Sequence, residues 1–166
     1  GLRILSPADD PVAAAAALGV DQAISINNQF ATNRANAKSA LSEEESVLQS
    51  VTTLLQSIKT SVVGAGNASM DDSQRQAYVT QLRNNFEELL GLANTRGANG
   101  DYLFGGYQVS SKPFTESATG AVYNGDQGQR MLQVGAARQL SSSDSGSSIF
   151  EAVSYTHLTL PTNREV

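Results

Sequence analysis

A long amphipathic pattern between residues 40 and 63 dominates the chain. Its apolar positions form two series with a seven-residue repeat: Leu41, Leu48, Leu55 and Val62, and Glu44, Val51 and Ile58. Together these positions alternate three and four residues apart, which places them on one stripe of a helix and not on one face of a strand. Three further apolar residues widen the stripe: Val47, Leu54 and Val63. We predict that Leu48 and Leu55 are buried against a second helix, because a stripe of this length is typical of helix packing.

Glu44 is the charged exception in this stripe. Burying a carboxylate without a partner is costly. We therefore predict that its side chain either reaches the edge of the stripe or finds a polar partner.

The helix that carries the stripe is predicted to be much longer than the stripe itself. Asp9 or Asp10 can cap its first N–H groups, and Pro11 suits its first position. From Val12 onward neither proline nor paired glycine interrupts the pattern until residues 64–66. A weaker continuation of the same repeat passes through Val20, Phe30 and Ala37. We expect one helix of about 50 residues, roughly 75–80 Å long.

The first half of this helix, Val12–Ala40, is rich in alanine and uncharged amides. The amides are Gln22, Asn27, Asn28, Gln29, Asn33 and Asn36. Small side chains permit close approach, and amides form hydrogen bonds without the desolvation cost of a charge. The pattern fits either a polar solvated face or a surface that packs against other subunits.

A second helix is predicted over about Asp72–Thr95, after a turn at residues 64–73. Ser69, Asp71 or Asp72 can cap it. Its apolar stripe consists of Tyr78 or Val79, Leu82, Phe86, Leu89 and Ala93. Because the turn is short, the two helices should lie antiparallel with their stripes facing each other.

After Arg96 the pattern changes to short strands separated by glycine, asparagine, aspartate and proline. The predicted strands are 102–104, Tyr107–Val109, Ala121–Tyr123 and Arg130–Gly135, and a helix could begin at Ile149–Val153. We therefore expect a mainly α protein in which a long antiparallel, coiled-coil-like helical hairpin (1–100) precedes a small β-rich lobe (101–153). The last segment, 154–166, continues no pattern and is interpreted as a non-native, disordered tail.

Composition argues against catalysis. The 166-residue chain has no cysteine and no tryptophan, only 6% aromatic residues, a formal net charge of −5 and a single histidine, which lies in the tail. The glycine-rich stretch GANGDYLFGG matches neither common phosphate-binding pattern. We therefore expect no enzyme activity, and no catalytic, cofactor-binding or metal-binding residue is nominated. Nucleic acid, membrane and small-molecule substrates are not expected as partners.

Three blocks of sequence carry a resemblance to a known family. They are GLRILSPADDPVAAA at the start, LLGLANTRGANGDYLFGGYQ followed by Lys112-Pro113-Phe114, and Tyr123–Asp126 followed by Arg130–Gly135. The chain resembles the bacterial flagellar hook-associated protein type 3 family, the hook–filament junction proteins of the flagellin superfamily. The resemblance covers about 1–153, and its middle block is the most discriminating.

This resemblance implies a structural role in motility. Family members form a ring of subunits between hook-associated protein type 1 and the flagellin filament. They are extracellular, and leave the cell by flagellar type III export without a cleaved signal peptide. The resemblance also implies that inner-core segments at both ends, including a returning C-terminal helix, lie outside this chain, so we expect it to be a piece of a longer protein. The alternatives are flagellin or another axial protein and, less favoured, a coiled-coil signalling or binding module.

Overall fold

A computed structural model describes residues 10–66 and 70–151. Its elements, in chain order, are α1 (Pro11–Ala65), α2 (Asp72–Ala93), β1 (Phe114–Ser117), β2 (Gly120–Tyr123), β3 (Met131–Gly135), β4 (Arg138–Ser141) and a π-helical turn (Ser147–Glu151). The predicted fold class, a helical hairpin followed by a small β lobe, is confirmed. The predicted tail at 154–166 lies outside the described residues.

Helix α1 is continuous over 55 residues, close to the predicted extent. The Ala13 N–H donates to the Asp10 carboxylate at 2.9 Å, and Pro11 occupies the first turn. Asp10 is therefore the cap, while Asp9 lies outside the described residues. At the other end the Gly66 N–H donates to the Val62 carbonyl at 3.1 Å. At 1.5 Å per residue the helix is about 80 Å long.

Helix α2 begins with a capping box. The Gln74 N–H donates to the Asp71 carboxylate at 2.7 Å, and the Asp71 N–H donates to the Gln74 side-chain oxygen at 3.1 Å. The helix ends at Ala93, two residues before the predicted end. Asn94 explains this end: its side-chain amide donates to the carbonyls of Leu90 and Phe114 and accepts from the Phe114 N–H. The chain thereby leaves the helix and joins the lobe.

The prediction that Leu48 and Leu55 are buried was wrong in part. Leu55 is 46% exposed and Leu48 is half-buried. The buried positions lie on the other flank of the stripe: Glu44, Val51, Leu54 and Ser61. The apolar stripe spans three heptad positions, and one partner helix covers only part of that width. Helix α2 packs on the flank with Val51 and Leu54. In the series of Leu41, Leu48, Leu55 and Val62, the last two residues stay exposed and the first two are half-buried.

The apolar stripe of α2 was predicted more closely. Ala93 is buried, and Leu82, Phe86 and Leu89 are half-buried. Of the two candidates for its first position, Tyr78 is half-buried and Val79 is 57% exposed. The Tyr78 hydroxyl would lie only 2.7 Å from a Cβ added to Gly64. Glycine therefore allows this close approach where the two helices meet.

The lobe contains two separate antiparallel hairpins, β1–β2 and β3–β4. The predicted strands at Ala121–Tyr123 and Arg130–Gly135 correspond to β2 and β3. The strands predicted at 102–104 and Tyr107–Val109 were wrong, because this segment folds into turns and pairs only through an isolated bridge between Arg96 and Tyr102. Strands β1 and β4 were not predicted.

An aromatic cluster forms the core of the lobe. Phe104 is fully buried, and its ring centroid lies 5.3 Å from that of Phe150 in an edge-to-face arrangement. Phe150 makes a similar contact with Phe114, and the Tyr123 ring lies 5.0 Å from Phe114. The π-helical turn thus supplies Phe150 to close the core, where a helix start was predicted at Ile149. Ala152 and Val153 lie outside the described residues.

Candidate assembly surface

Apolar side chains are exposed along much of α1. The most exposed are Val12 (79%), Leu18 (70%), Val20 (59%), Ile24 (51%), Leu55 (46%), Val62 (52%) and Val63 (72%). They extend from the first turn of the helix to its last. Single exposed apolar residues are ordinary, but a series that follows one element marks a candidate protein–protein interface. We call Leu41, Leu48, Leu55 and Val62 the open stripe.

Polar contacts fix the lobe beside the middle of α1. The Asn33 amide donates to the Gln133 carbonyl at 2.7 Å, and the Arg34 guanidinium donates to the Val134 carbonyl at 3.0 Å. Nearby, the Ala98 N–H donates to the Glu43 carboxylate at 3.2 Å. Asn33 was one of the amides predicted to meet solvent or another subunit, and it contacts the chain's own lobe instead. Beside these contacts Leu41 and Leu48 of the open stripe are half-buried, and Leu55 and Val62 remain exposed.

An apolar groove of about 430 Å³ separates α2 from the lobe. Its lining combines helix and lobe residues: Phe86, Leu89, Leu90, Ala93, Phe114, Ala121, Phe150 and Glu151. Among the described residues of this lining, Glu151 is the single ionisable one. The largely apolar lining suits contact with apolar side chains of a protein.

Glu44 is buried at the contact between α1 and the segment 142–146, which we call the serine loop. Its exposure is 4%, and its Oε1 atom has no hydrogen-bond partner among the described residues. Of the two predicted outcomes, Glu44 does not reach the edge of the stripe but finds one polar partner, the Asp144 main chain, while its Oε1 atom has none among the described residues. Burial, and then the nearby Asp144 carboxylate, raise the pKa of Glu44 to about 6, while the Asp144 main chain and Arg130 act in the opposite direction.

Hydrogen bonds hold the serine loop to Gln129 and Arg130, the two residues that precede β3. The Ser142 N–H and hydroxyl both donate to the Arg130 carbonyl, at 2.8 and 3.0 Å. The Arg130 N–H donates to the Ser143 hydroxyl at 3.2 Å, and the Gln129 amide donates to Asp144 at 2.9 Å. Ser142, Ser143 and Ser145 are all buried. The serine loop is therefore an ordered part of the contact with α1.

Asp126 organises a turn elsewhere in the lobe. Its Oδ1 atom accepts hydrogen bonds from the Tyr107 N–H at 2.9 Å and from the Gly128 N–H at 2.7 Å. These bonds favour the charged form and lower the pKa of the Asp126 carboxyl. Gly106 has a φ of 70°, and an added Cβ there would clash with Asp126. The turn therefore needs both a glycine and an ionised carboxylate.

Replacing Asp126 with Asn should reduce stability at pH 5 and change the acid limb of the stability profile. The folded-state pKa of Asp126 is lower than its ordinary value, so the carboxylate adds stability above that value, and this stability is lost as pH falls through the folded-state pKa. Wild type and D126N should therefore converge at low pH. Chemical denaturation between pH 2.5 and 6 checks this, with D21N on the exposed face of α1 as the control. Parallel profiles for wild type and D126N would contradict it.

Two features of this surface escaped sequence reasoning. Asn85 lies on α2 three residues after Leu82 and four before Leu89, and its Nδ2 atom is buried without a partner among the described residues. Its heptad position was a signal that could have found it. The contact of Arg34 with β3 had no local signal, because the two residues are 100 positions apart.

The sequence predicted no catalytic, cofactor-binding or metal-binding residue that the fold could place. Within residues 10–66 and 70–151, no group of three or more His, Asp or Glu side chains is arranged to hold a metal ion. In the same part of the chain, no helix has the length and apolar character needed to cross a lipid bilayer.

Comparison with known proteins agrees with this architecture. The family described as the bacterial flagellin N-terminal helical region matches residues 1–109, which include both helices. Flagellar hook-associated protein 3 of Salmonella typhimurium strain LT2 is 38% identical over 153 residues, or 92% of this chain and 48% of that protein. The Escherichia coli K12 protein of the same name is 36% identical over the same shares. The chain thus spans about half the length of the curated relatives it matches.

Solved structures resemble the fold as well. The crystal structure of flagellar hook-associated protein 3 from Legionella pneumophila matches with a TM-score of 0.75 and 31% identity, over 79% of this chain and 40% of that one. A putative flagellar hook-associated protein from Vibrio parahaemolyticus gives a TM-score of 0.80 and 27% identity, over 87% and 64% of the two chains. The helical hairpin, the lobe and the family match together show that this chain belongs to the bacterial flagellin family, through its N-terminal helical region.

Proposed function

We propose that the protein is a structural subunit of the bacterial flagellum at the junction between hook and filament. The observation that carries the proposal is the similarity to hook-associated protein 3, which extends over 153 residues and therefore through both the hairpin and the lobe. A structure from Legionella pneumophila with the same fold is described as a flagellar junction protein. The function is assembly through protein–protein contacts, without catalysis.

The open stripe supports an assembly role. Leu55 and Val62 are about half exposed on a helix whose opposite flank is already covered by α2. Covering apolar surface stabilises by about 25 cal/mol per Å², so a second helix on this flank would be held by the same interaction as the first. In the full-length subunit we assign this flank to the returning C-terminal helix that the family resemblance implies.

The proposed partners follow from the same role. In the full-length form the protein forms a ring of its own subunits, placed between hook-associated protein type 1 and flagellin. The ring lies outside the cell and its subunits leave by flagellar type III export without a cleaved signal peptide. Subunits that pack head to tail need complete interfaces on both sides for the ring to close.

Labelling of isolated flagella tests the location. Antibody against the full-length protein should mark one point on each flagellum, at the boundary between hook and filament. Label along the whole filament would instead favour flagellin, a candidate that the family match to the flagellin N-terminal helical region also supports. Label at neither position would contradict both.

A charge on the open stripe should block assembly without unfolding the hairpin. Leu55→Glu in the full-length protein places a carboxylate on apolar surface that we propose to be covered, which is costly. We expect loss of motility and of oligomers in sedimentation, while the free subunit keeps its helical circular dichroism. Gln56→Glu, on the adjacent exposed position, is the matched control and should assemble normally. Normal assembly of L55E would contradict the proposed role of the stripe.

A further inference from the structure

Glu44 is buried in the contact between α1 and the lobe, and packing alone does not explain a carboxyl group at this position. It stands in an otherwise apolar series, it is 4% exposed, and Oε1 lacks a hydrogen-bond partner among the described residues. The Asp144 main chain hydrogen-bonds to the carboxyl group, but a buried carboxylate with one oxygen left unpartnered is still costly to ionise. Protonation removes its charge, so the stability of this contact must depend on the state of this one group.

The charged groups that act on Glu44 both come from the lobe. The Asp144 carboxylate repels the ionised form, and Arg130 attracts it. Arg130 is partly occupied elsewhere, since its guanidinium lies 3.5 Å from the Asp101 carboxylate. The neighbouring acids of α1 are engaged otherwise: Glu43 accepts from the Ala98 N–H, and Glu45 accepts from the Gln49 amide.

We propose that Glu44 is a proton-operated latch that holds the serine loop, and with it the lobe, against α1. When Glu44 is protonated, the buried position is neutral and the contact closes. When Glu44 ionises, the Asp144 carboxylate repels it and Oε1 is left charged without a donor among the described residues. The serine loop then separates from α1 more often, and solvent reaches the middle of this helix.

The direction of the pH dependence follows from linkage. In the open state Glu44 meets water and titrates near 4.5, whereas in the closed state its pKa is about 6. The closed state therefore binds the proton more tightly, and closure is favoured as pH falls from 7 to 4.5. With these two values, the equilibrium constant for opening should increase roughly 15-fold between pH 4.5 and pH 7. This pH dependence is opposite in sign to that of Asp126, whose contribution to stability is lost as the pH falls.

Hydrogen exchange of the 166-residue chain tests the latch. Protection factors of the amides at 142–146, corrected for the intrinsic rate at each pH, should fall by about that factor between pH 4.5 and pH 7. In Glu44→Gln the side chain is neutral at every pH, so the dependence should disappear and protection at pH 7 should exceed that of wild type. Glu45→Gln, the exposed neighbour on the same turn, should keep the wild-type dependence.

Two outcomes would overturn the proposal. One is a Glu44→Gln variant whose loop protection changes with pH as it does in wild type. The other is independent of any variant: the carboxyl carbon of Glu44 in the wild-type chain, followed by NMR, should titrate near 6. Titration in the ordinary range of an exposed glutamate would show that the contact does not hold the proton.

Discussion

Replacing Phe104 with alanine is expected to lower the free energy of unfolding by about 3–5 kcal/mol. Phe104 is fully buried, and its ring makes an edge-to-face contact with Phe150. Among the residues that the structure describes, the lobe has two short hairpins and one aromatic cluster. Few neighbouring side chains can therefore move into the cavity that the alanine leaves. The Phe104 carbonyl also accepts a hydrogen bond from the Gly146 N–H at 2.9 Å. This bond joins the aromatic cluster to the serine loop.

The matched control lies in the same lobe. Val122 on β2 is 48% exposed, so Val122→Ala removes apolar atoms without opening a cavity. It should lower the free energy of unfolding by less than about 1 kcal/mol. Equilibrium unfolding in urea, followed by near-ultraviolet circular dichroism for the lobe and by far-ultraviolet circular dichroism for the helices, measures both. A cost below about 1 kcal/mol for F104A would show that the aromatic cluster does not stabilise the lobe.

Leu54→Ala is expected to cost about 2–4 kcal/mol, whereas Leu55→Ala should cost less than about 1 kcal/mol. The two residues are adjacent and chemically identical, but Leu54 is 7% exposed and Leu55 is 46% exposed. Leu54 belongs to the flank that α2 covers, and Leu55 belongs to the open stripe. Helix propensity changes equally in both variants, so the difference between them isolates the packing against α2.

Thermal and urea unfolding of these two variants therefore show which side of α1 faces α2. Equal losses would mean that both flanks are covered in solution. A larger loss for Leu55→Ala would restore the register that the seven-residue repeat suggested and contradict the one in the structure. The same pair in the full-length protein should lose this contrast, because we propose that the returning helix covers Leu55 there.

Local signals predicted the helices well and their rotation poorly. The Asp10–Pro11 start, the unbroken run to residue 64 and the cap at Asp71 are short-range features, and each appears in the structure. Which side of a wide apolar stripe faces a partner depends on the number of partners present. Periodicity shows that Leu54 and Leu55 are both near the stripe. It does not show that, among the described residues, α2 is the one helix that packs along α1.

The lobe shows a different limit of sequence reasoning. Strands β1 and β4 have four residues each and no clear alternation, so nothing local separates them from the turns around them. The segment 102–104 has strong strand residues but folds as turns because Phe104 must enter the aromatic cluster. Glu44 was recognised as an anomaly of the stripe, but the residues that surround it come from positions about 90 to 100 later in the chain.

The two hydrogen bonds that join α1 to β3 have a practical consequence for engineering. Asn33 and Arg34 donate to main-chain carbonyls, so these two bonds do not depend on which side chains the strand carries. The turn beyond them, at Ala136 and Ala137, is exposed and leads directly into β4. A short peptide epitope inserted between these alanines would leave both carbonyls in place. The turn is therefore a site where the subunit can be tagged without releasing the lobe from α1.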